Sequence, residues 1–256
     1  MQLAYRAYGS GRPLLILHGL FGQSDNWNTL AKNFAEAGFT VYTIDQRNHG
    51  LSPHDEVWTY EAMADDLKEF IDEHCLHAPI LLGHSMGGKT LLFFEKKYPG
   101  IASQLIIADM SAREYPAHHQ SVLDALHAVD FDKIENRKQA EEIMSTYISD
   151  FGTKQFLLKN IYWREDADKK MAWRFNLRVI SRDYDEVRIP VPFYQSAIST
   201  LVIRGEKSNY VNESDVTDFE NRFPNLHLVT IPNAGHWVHA EKPQDFQKAV
   251  LEFIGS

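Results

Sequence analysis

The chain has 256 residues, of which 44% are hydrophobic, and its 35 acidic and 26 basic side chains give a formal net charge of −9. This hydrophobic content supplies a packed core and excludes a disordered chain. Because an acidic chain repels phosphate backbones, no nucleic-acid partner is expected.

Cysteine usage and the absence of export signals bear on where the protein works. Cys75 is the single cysteine, so no disulfide can form within the chain, which suits a reducing compartment. It is expected to pack as a small apolar residue near a helix end. Residues 1–6 show no basic region followed by an apolar stretch, and no apolar run approaches the roughly 18 residues that span a bilayer. We therefore expect a cytoplasmic protein with no signal peptide and no membrane span.

Short apolar runs alternate with amphipathic stretches, as in a mostly parallel sheet covered by helices. The predicted strands are residues 14–17, 40–44, 79–82, 105–108, 201–203 and 226–229. The predicted helices are residues 25–37, 60–73, 86–97 and 243–254. The pattern predicts the α/β class.

Residues 112–195 interrupt this alternation. They are polar, helical in pattern and rich in large aromatic side chains, with no convincing buried strand. We interpret them as a helical cap insertion, with residues 1–111 and 196–256 forming the core. Ligands of open α/β sheets bind outside the carboxyl ends of the strands, so a cap there would cover the site. Trp163 and Trp173 are its foremost candidates for substrate binding, although any one aromatic could simply pack the cap onto the core.

A serine flanked by glycines lies between a predicted strand and a predicted helix, in Gly83-His84-Ser85-Met86-Gly87. This context is typical of the nucleophile elbow of the α/β-hydrolase fold, in which a sharp turn exposes the serine hydroxyl. The alternative is a chance glycine-serine turn. The context favours Ser85 as a nucleophile.

A second glycine-rich turn, His18-Gly19-Leu20-Phe21-Gly22, follows the first predicted core strand. Such a turn can aim a backbone N–H into the site, and the residue after the nucleophile supplies another. We assign the oxyanion hole to the N–H groups of Leu20 and Met86 and expect a structural role for His18.

The general base is expected after the last strand, because the chain order serine, acid, histidine is typical of this fold. His236 lies there in Asn233-Ala234-Gly235-His236-Trp237. His239 is the nearby rival, but three positions later it is better placed to brace the following turn. His236 is therefore the predicted base.

The acid departs from the commonest arrangement, in which it follows the seventh of eight strands. Ser208 occupies that position here, whereas Asp109 lies at the carboxyl end of the preceding core strand. A carboxylate there can reach the same histidine, although a turn-capping aspartate is the alternative. Glu206 and Asp215 are the other candidates in the later loop. Asp109 is the predicted acid.

Motifs for metals and phosphate-bearing cofactors are missing. The sequence has no His-Glu-x-x-His and no complete glycine-rich phosphate loop, so neither a metal nor a cofactor is predicted.

Four stretches together resemble the small bacterial YbfF-type esterases and the related mitochondrial α/β-hydrolase-domain proteins. They are residues 18–22, Asp45-Gln46-Arg47-Asn48-His49-Gly50-Leu51-Ser52, Gly83-His84-Ser85-Met86-Gly87-Gly88-Lys89 and residues 235–243. The resemblance spans the core and is thinner in the cap, mainly residues 173–177.

This resemblance implies an acid after the sixth of the eight strands counted in that fold, which matches Asp109. It also implies a serine in the loop after the seventh of those strands, which matches Ser208. It also implies hydrolysis of small-molecule acyl esters with short acyl groups, without a cofactor. Two alternatives stay open: an acyl-CoA thioesterase on the same residues, and a ligand-binding protein that keeps the fold without catalysis.

Overall fold

The computed structural model describes residues 1–117, 119–165 and 170–255. Seven strands of this described part form one sheet: β1 (Tyr5–Tyr8), β2 (Arg12–Leu17), β3 (Phe39–Ile44), β4 (Ile80–His84), β5 (Gln104–Ala108), β8 (Ser199–Gly205) and β9 (Leu226–Ile231). A separate hairpin consists of β6 (Ile161–Trp163) and β7 (Met171–Trp173).

The α-helices in chain order are α1 (Asn28–Glu36), α2 (Tyr60–Glu73), α3 (Met86–Lys97), α4 (Gln120–Ala128), α5 (Arg137–Met144), α6 (Phe151–Leu158), α7 (Leu177–Arg182), α8 (Glu213–Arg222), α9 (Val238–Glu241) and α10 (Pro243–Ile254). Short 3₁₀ helices occupy Ser24–Trp27 and Tyr184–Val187.

The sheet order is β1-β3-β2-β4-β5-β8-β9. Only the β1–β3 pair within this sheet is antiparallel. Its central strands are apolar on both faces because helices cover both sides. Alternate residues of β2 illustrate this: Leu15 and Leu17 join one buried cluster, whereas Leu14 and Ile16 join the other.

The α/β-hydrolase architecture predicted from the sequence is confirmed, and the predicted core strands and helices agree with the structure within a few residues at each end. Strand β1 was not predicted, because its four residues, three of them exposed, lack an apolar run. The exposed Cys75 contradicts the expectation that it packs near a helix end, since it lies in the turn after α2 with a φ of 50°.

Residues 112–195, called the cap segment below, leave the sheet after β5 and return before β8. The segment holds helices α4 to α7, but the expectation that it has no convincing buried strand was wrong, because two of the three residues of β7 are buried. Strands β6 and β7 have three residues each, which is too short for a recognisable alternation of polar and apolar residues. The bounds of a cap domain stay a prediction.

No helix in the described part of the chain is long and apolar enough to cross a bilayer.

Candidate active site

Ser85 lies in a sharp turn between β4 and α3. Its φ of 52° and ψ of −121° are strained for a residue with a side chain. Two glycines permit the turn: a Cβ on Gly83 would lie 2.4 Å from the carbonyl carbon of Gly87, and one on Gly87 would lie 2.5 Å from the Leu17 oxygen. The flanking glycines of the motif are thus required by close backbone approaches.

A continuous chain of hydrogen bonds joins the three residues selected from the sequence. The Ser85 hydroxyl lies 2.9 Å from His236 Nε2, so it can donate to that nitrogen. His236 Nδ1 lies 2.7 Å from Asp109 Oδ2 and donates to it. The imidazole is therefore held in the tautomer that can accept a proton from the serine.

Three donors surround the Asp109 carboxylate. Besides His236, the Gly205 N–H donates to Oδ1 at 3.0 Å and the Ser208 hydroxyl donates to Oδ2. Burial raises the pKa of the Asp109 carboxyl above its usual range, and the donors from Ser208 and Gly205 oppose that shift. Ser208 lies in the loop after β8. That loop therefore helps to hold the carboxylate, although the acid itself, Asp109, follows β5.

The other candidates for the acid and the base have partners outside this hydrogen-bond chain. Glu206 accepts the Asn233 N–H at 2.7 Å and so braces a turn. Asp215 lies in the first turn of α8 and pairs with Arg113 at 3.2 Å. His239 is buried and stacks on Trp27, with ring centroids 4.2 Å apart.

The two residues assigned to the oxyanion hole belong to the start of α3 and to the loop after β2. Met86 is the first residue of α3, where N–H groups have no intrahelical acceptor. The loop that carries Leu20 is fixed by the Phe21 N–H, which donates to His49 Nε2 at 3.3 Å, and by the Asn160 side chain, which donates to the Phe21 oxygen at 2.9 Å. Leu20 and Met86 both line the pocket beside Ser85.

The family model described as the α/β hydrolase fold matches residues 12–243. The chain belongs to the α/β hydrolase family. It is 36% identical to the sn-1-specific diacylglycerol lipase ABHD11 of Mus musculus, over 94% of this chain and 80% of that protein. It is 34% identical to esterase YbfF of Escherichia coli, over 94% of this chain and 92% of that protein.

Among solved structures, one described as a marine microorganism esterase superposes on this hydrolase with a TM-score of 0.95 and 38% identity, covering 98% of this chain and 99% of that one. The resemblance to YbfF-type esterases is thereby confirmed. This α/β hydrolase is an enzyme of the esterase and lipase type, a serine hydrolase.

The hydrolase has a pocket of about 320 Å³ beside Ser85, open solvent included. Its lining from the core consists of Leu20, Tyr60, Ser85, Met86, Met110 and Tyr210. Its lining from the cap segment consists of Tyr115, His119, Tyr184, Val187 and Arg188. The wall is therefore mainly apolar and aromatic, with about half of it supplied by the cap segment.

Neither tryptophan selected from the sequence lines this pocket. Trp163 is 58% exposed on the β6–β7 hairpin. Trp173 is buried, donates its indole N–H to the Leu126 oxygen at 3.3 Å and stacks on Phe175. The cap segment does line the pocket, but it does so through residues other than these two tryptophans.

Sequence reasoning missed several supporting residues of the hydrolase. The Tyr210 ring stacks on the His236 imidazole, with centroids 3.6 Å apart and planes inclined by 16°. The Asn48 carbonyl accepts the Asn176 N–H at 2.8 Å, which joins the Arg-Asn-His-Gly stretch to the cap segment. That stretch was noticed only as a mark of resemblance. Its position directly after a core strand was the one signal that could have indicated a role at the site.

Proposed function

We propose that this hydrolase is a carboxylesterase that cleaves short acyl esters through an acyl-enzyme on Ser85. The observation that carries the proposal is the unbroken hydrogen-bond chain from Ser85 through His236 to Asp109. Nucleophile, acid and base follow β4, β5 and β9, at the carboxyl ends of the parallel strands, where this fold has its active sites.

In the first half of the reaction, His236 Nε2 takes the proton of Ser85 as the serine oxygen attacks the ester carbonyl carbon. Asp109 stabilises the imidazolium that forms. The N–H groups of Leu20 and Met86 stabilise the tetrahedral oxyanion, and each such donor is worth roughly 3 kcal/mol. Collapse breaks the bond to the alcohol oxygen, which leaves with the proton from His236.

In the second half, a water molecule gives a proton to His236 while its oxygen attacks the acyl carbon. Collapse of this intermediate releases the carboxylic acid and returns the proton to Ser85. No cofactor enters either half. The chemistry is balanced by water alone, as expected for hydrolysis through a serine nucleophile.

Size and lining of the pocket support a short acyl group. The space of about 320 Å³ beside Ser85 includes open solvent, so the part enclosed by side chains is smaller still. Side chains such as Tyr115, Tyr184 and Val187 close it from the cap segment. Ester substrates are also consistent with relatives named as an esterase and a diacylglycerol lipase.

The proposal is tested with p-nitrophenyl esters from acetyl to dodecanoyl and with matched thioesters. We expect kcat/KM to be greatest for the short oxygen esters. Faster turnover of the thioesters would favour the thioesterase alternative. A steady rise in kcat/KM to the longest acyl chain would contradict a compact pocket.

Ser85→Ala should lower kcat by several orders of magnitude and abolish labelling by a fluorophosphonate probe, while the fold stays intact. Ser103→Ala is the matched control, because Ser103 precedes β5 at the opposite end of the sheet. A wild-type protein that is folded but shows neither turnover nor labelling would support the non-catalytic alternative.

A further inference from the structure

Lys89 is a buried lysine that the proposed reaction does not use. It lies in α3, one helical turn after Ser85, and none of its surface is exposed. Among the described residues, no carboxylate lies within ion-pair distance of its amino group, and the charges of Glu114 and Asp215 favour the ammonium only from farther away. Burying a lysine without a carboxylate is costly, so its other contacts must compensate.

Those contacts are backbone carbonyls at the two ends of the cap segment. Lys89 Nζ donates to the Arg113 oxygen at 3.0 Å and to the Ile189 oxygen at 2.8 Å. Burial lowers the pKa of Lys89 to about 7, and both the ammonium and the neutral amine keep enough N–H groups for two carbonyls. The contact therefore persists in either protonation state.

The two ends of the cap segment are also joined to each other. The Val191 N–H donates to the Ala112 oxygen at 2.7 Å, and the Tyr115 N–H donates to the Arg188 oxygen at 3.0 Å. Residues 112–115 and 188–191 thus form a paired junction between cap segment and core. Lys89 binds both sides of this junction from the nucleophile helix.

Tyr115 connects the junction to the reacting groups. Lys89 Nζ lies 4.7 Å from the centroid of the Tyr115 ring, which lines the pocket. The Tyr115 hydroxyl donates to the Tyr210 oxygen at 2.7 Å, and the Tyr210 ring stacks on His236. A shift of the junction would therefore move a wall of the acyl pocket and the ring that supports the histidine.

We propose that Lys89 is a positioning and specificity-determining residue, which fixes both ends of the cap segment to the nucleophile helix and so sets the width of the acyl pocket. The inference rests on the proposed esterase function. It concerns a side chain that acts through Tyr115 and the junction, without contact to the reacting atoms.

The decisive variant is Lys89→Met, which keeps an unbranched side chain as far as Cε and removes the amino group with its donors. We expect KM for the acetyl ester to rise about tenfold while kcat changes by less than about threefold. The ratio of kcat/KM for the octanoyl ester to that for the acetyl ester should rise at least about fivefold, because the wall at Tyr115 becomes less fixed.

Glu95→Gln is the matched control. Glu95 is another buried ionisable residue of α3, but its carboxylate accepts the Ser196 hydroxyl at 2.6 Å, outside the junction. This variant should leave the acyl-chain ratio unchanged. A folded Lys89→Met protein with the wild-type KM and the wild-type ratio would overturn the proposal.

Hydrogen exchange gives a readout that needs no activity. Peptides that contain the Tyr115 and Val191 amides should exchange faster in Lys89→Met and at the wild-type rate in Glu95→Gln. If the wild type hydrolysed no ester, the proposed function would fail, whereas unchanged exchange in Lys89→Met would refute the role of Lys89 by itself.

Tyr60→Phe keeps the test decisive should Lys89→Met not fold. The Tyr60 hydroxyl donates to the Val187 oxygen at 3.1 Å, so α2 holds the residue that directly precedes residues 188–191 of the junction. Its loss should shift the acyl-chain ratio and the exchange of the Val191 amide in the same direction. An unchanged ratio and unchanged exchange in Tyr60→Phe, with Lys89→Met unfolded, would count against the proposal.

Discussion

Replacement of Asp109 by asparagine separates the electrostatic role of this residue from its place in the fold. Asp109 has a φ of 49°, a conformation that asparagine adopts as readily as aspartate, so the backbone should be kept. Oδ1 accepts the Gly205 N–H, and the amide oxygen can take over that bond. The amide NH₂ then replaces Oδ2 and faces His236.

This substitution favours the other neutral tautomer of the His236 imidazole. The new NH₂ can only donate, so His236 Nδ1 must accept and its proton must reside on Nε2. Nε2 can then no longer take the proton of Ser85, which lies 2.9 Å away. In serine hydrolases the wrong tautomer costs about 10⁴-fold in kcat, or about 5.4 kcal/mol. KM should change little, because Asp109 does not line the pocket.

The measurement is the steady-state kcat for p-nitrophenyl acetate, with the fold checked by circular dichroism and thermal unfolding. Glu206→Gln and Asp215→Asn are matched controls that also neutralise a carboxylate near the site. Each should stay within about tenfold of the parent, or about 1.4 kcal/mol. A folded Asp109→Asn enzyme within tenfold of the parent, together with an inactive control variant, would show that the acid is supplied from the loop after β8.

Three further outcomes are expected. Four buried histidines should make the fold acid-sensitive: burial lowers the pKa of His18 to about 4, of His49 and His84 to about 3, and of His239 well below its usual value. Since the unfolded state takes up protons near pH ~6.5, their stabilisation is complete above that pH. Below it the unfolding free energy falls by about 1.4 kcal/mol per histidine per pH unit, until the pH reaches the folded-state pKa of that histidine. Urea unfolding at pH 7.5 and 5.5 checks this, and an unfolding free energy equal at both would contradict it. Tyr210→Leu, which removes the ring stacked on His236, should lower kcat about tenfold, and unchanged kcat would show that the stack is incidental. Gly83→Ala should destabilise the protein by about 3 kcal/mol in denaturant titration, because its Cβ would meet backbone of α3 at 2.4 Å. A variant as stable as the parent would show that the turn relaxes easily.

The sequence by itself determined the fold class and most of the core elements. Buried parallel strands are short apolar runs, and the helices between them have amphipathic periods, so both are visible locally. The turn at Ser85 could also be predicted from the sequence. The close backbone approach in that turn allows only glycine at Gly83 and Gly87, so the two glycines mark it. Predictions for Ser85, His236 and Asp109 drew on chain order and on position at strand ends, which are properties of the sequence.

Other features depend on contacts between segments far apart in the chain, and only the tertiary structure could decide them. The hydrogen bond from Ser208 to Asp109, the stacking of Tyr210 on His236 and the binding of two cap-segment carbonyls by Lys89 each join different elements. The aromatics of the cap segment show the same limit. Trp163 and Trp173 are the larger side chains, but the path of the segment brings residues such as Tyr115 and Tyr184 to the pocket instead, because which aromatic faces the nucleophile is set by packing and not by composition.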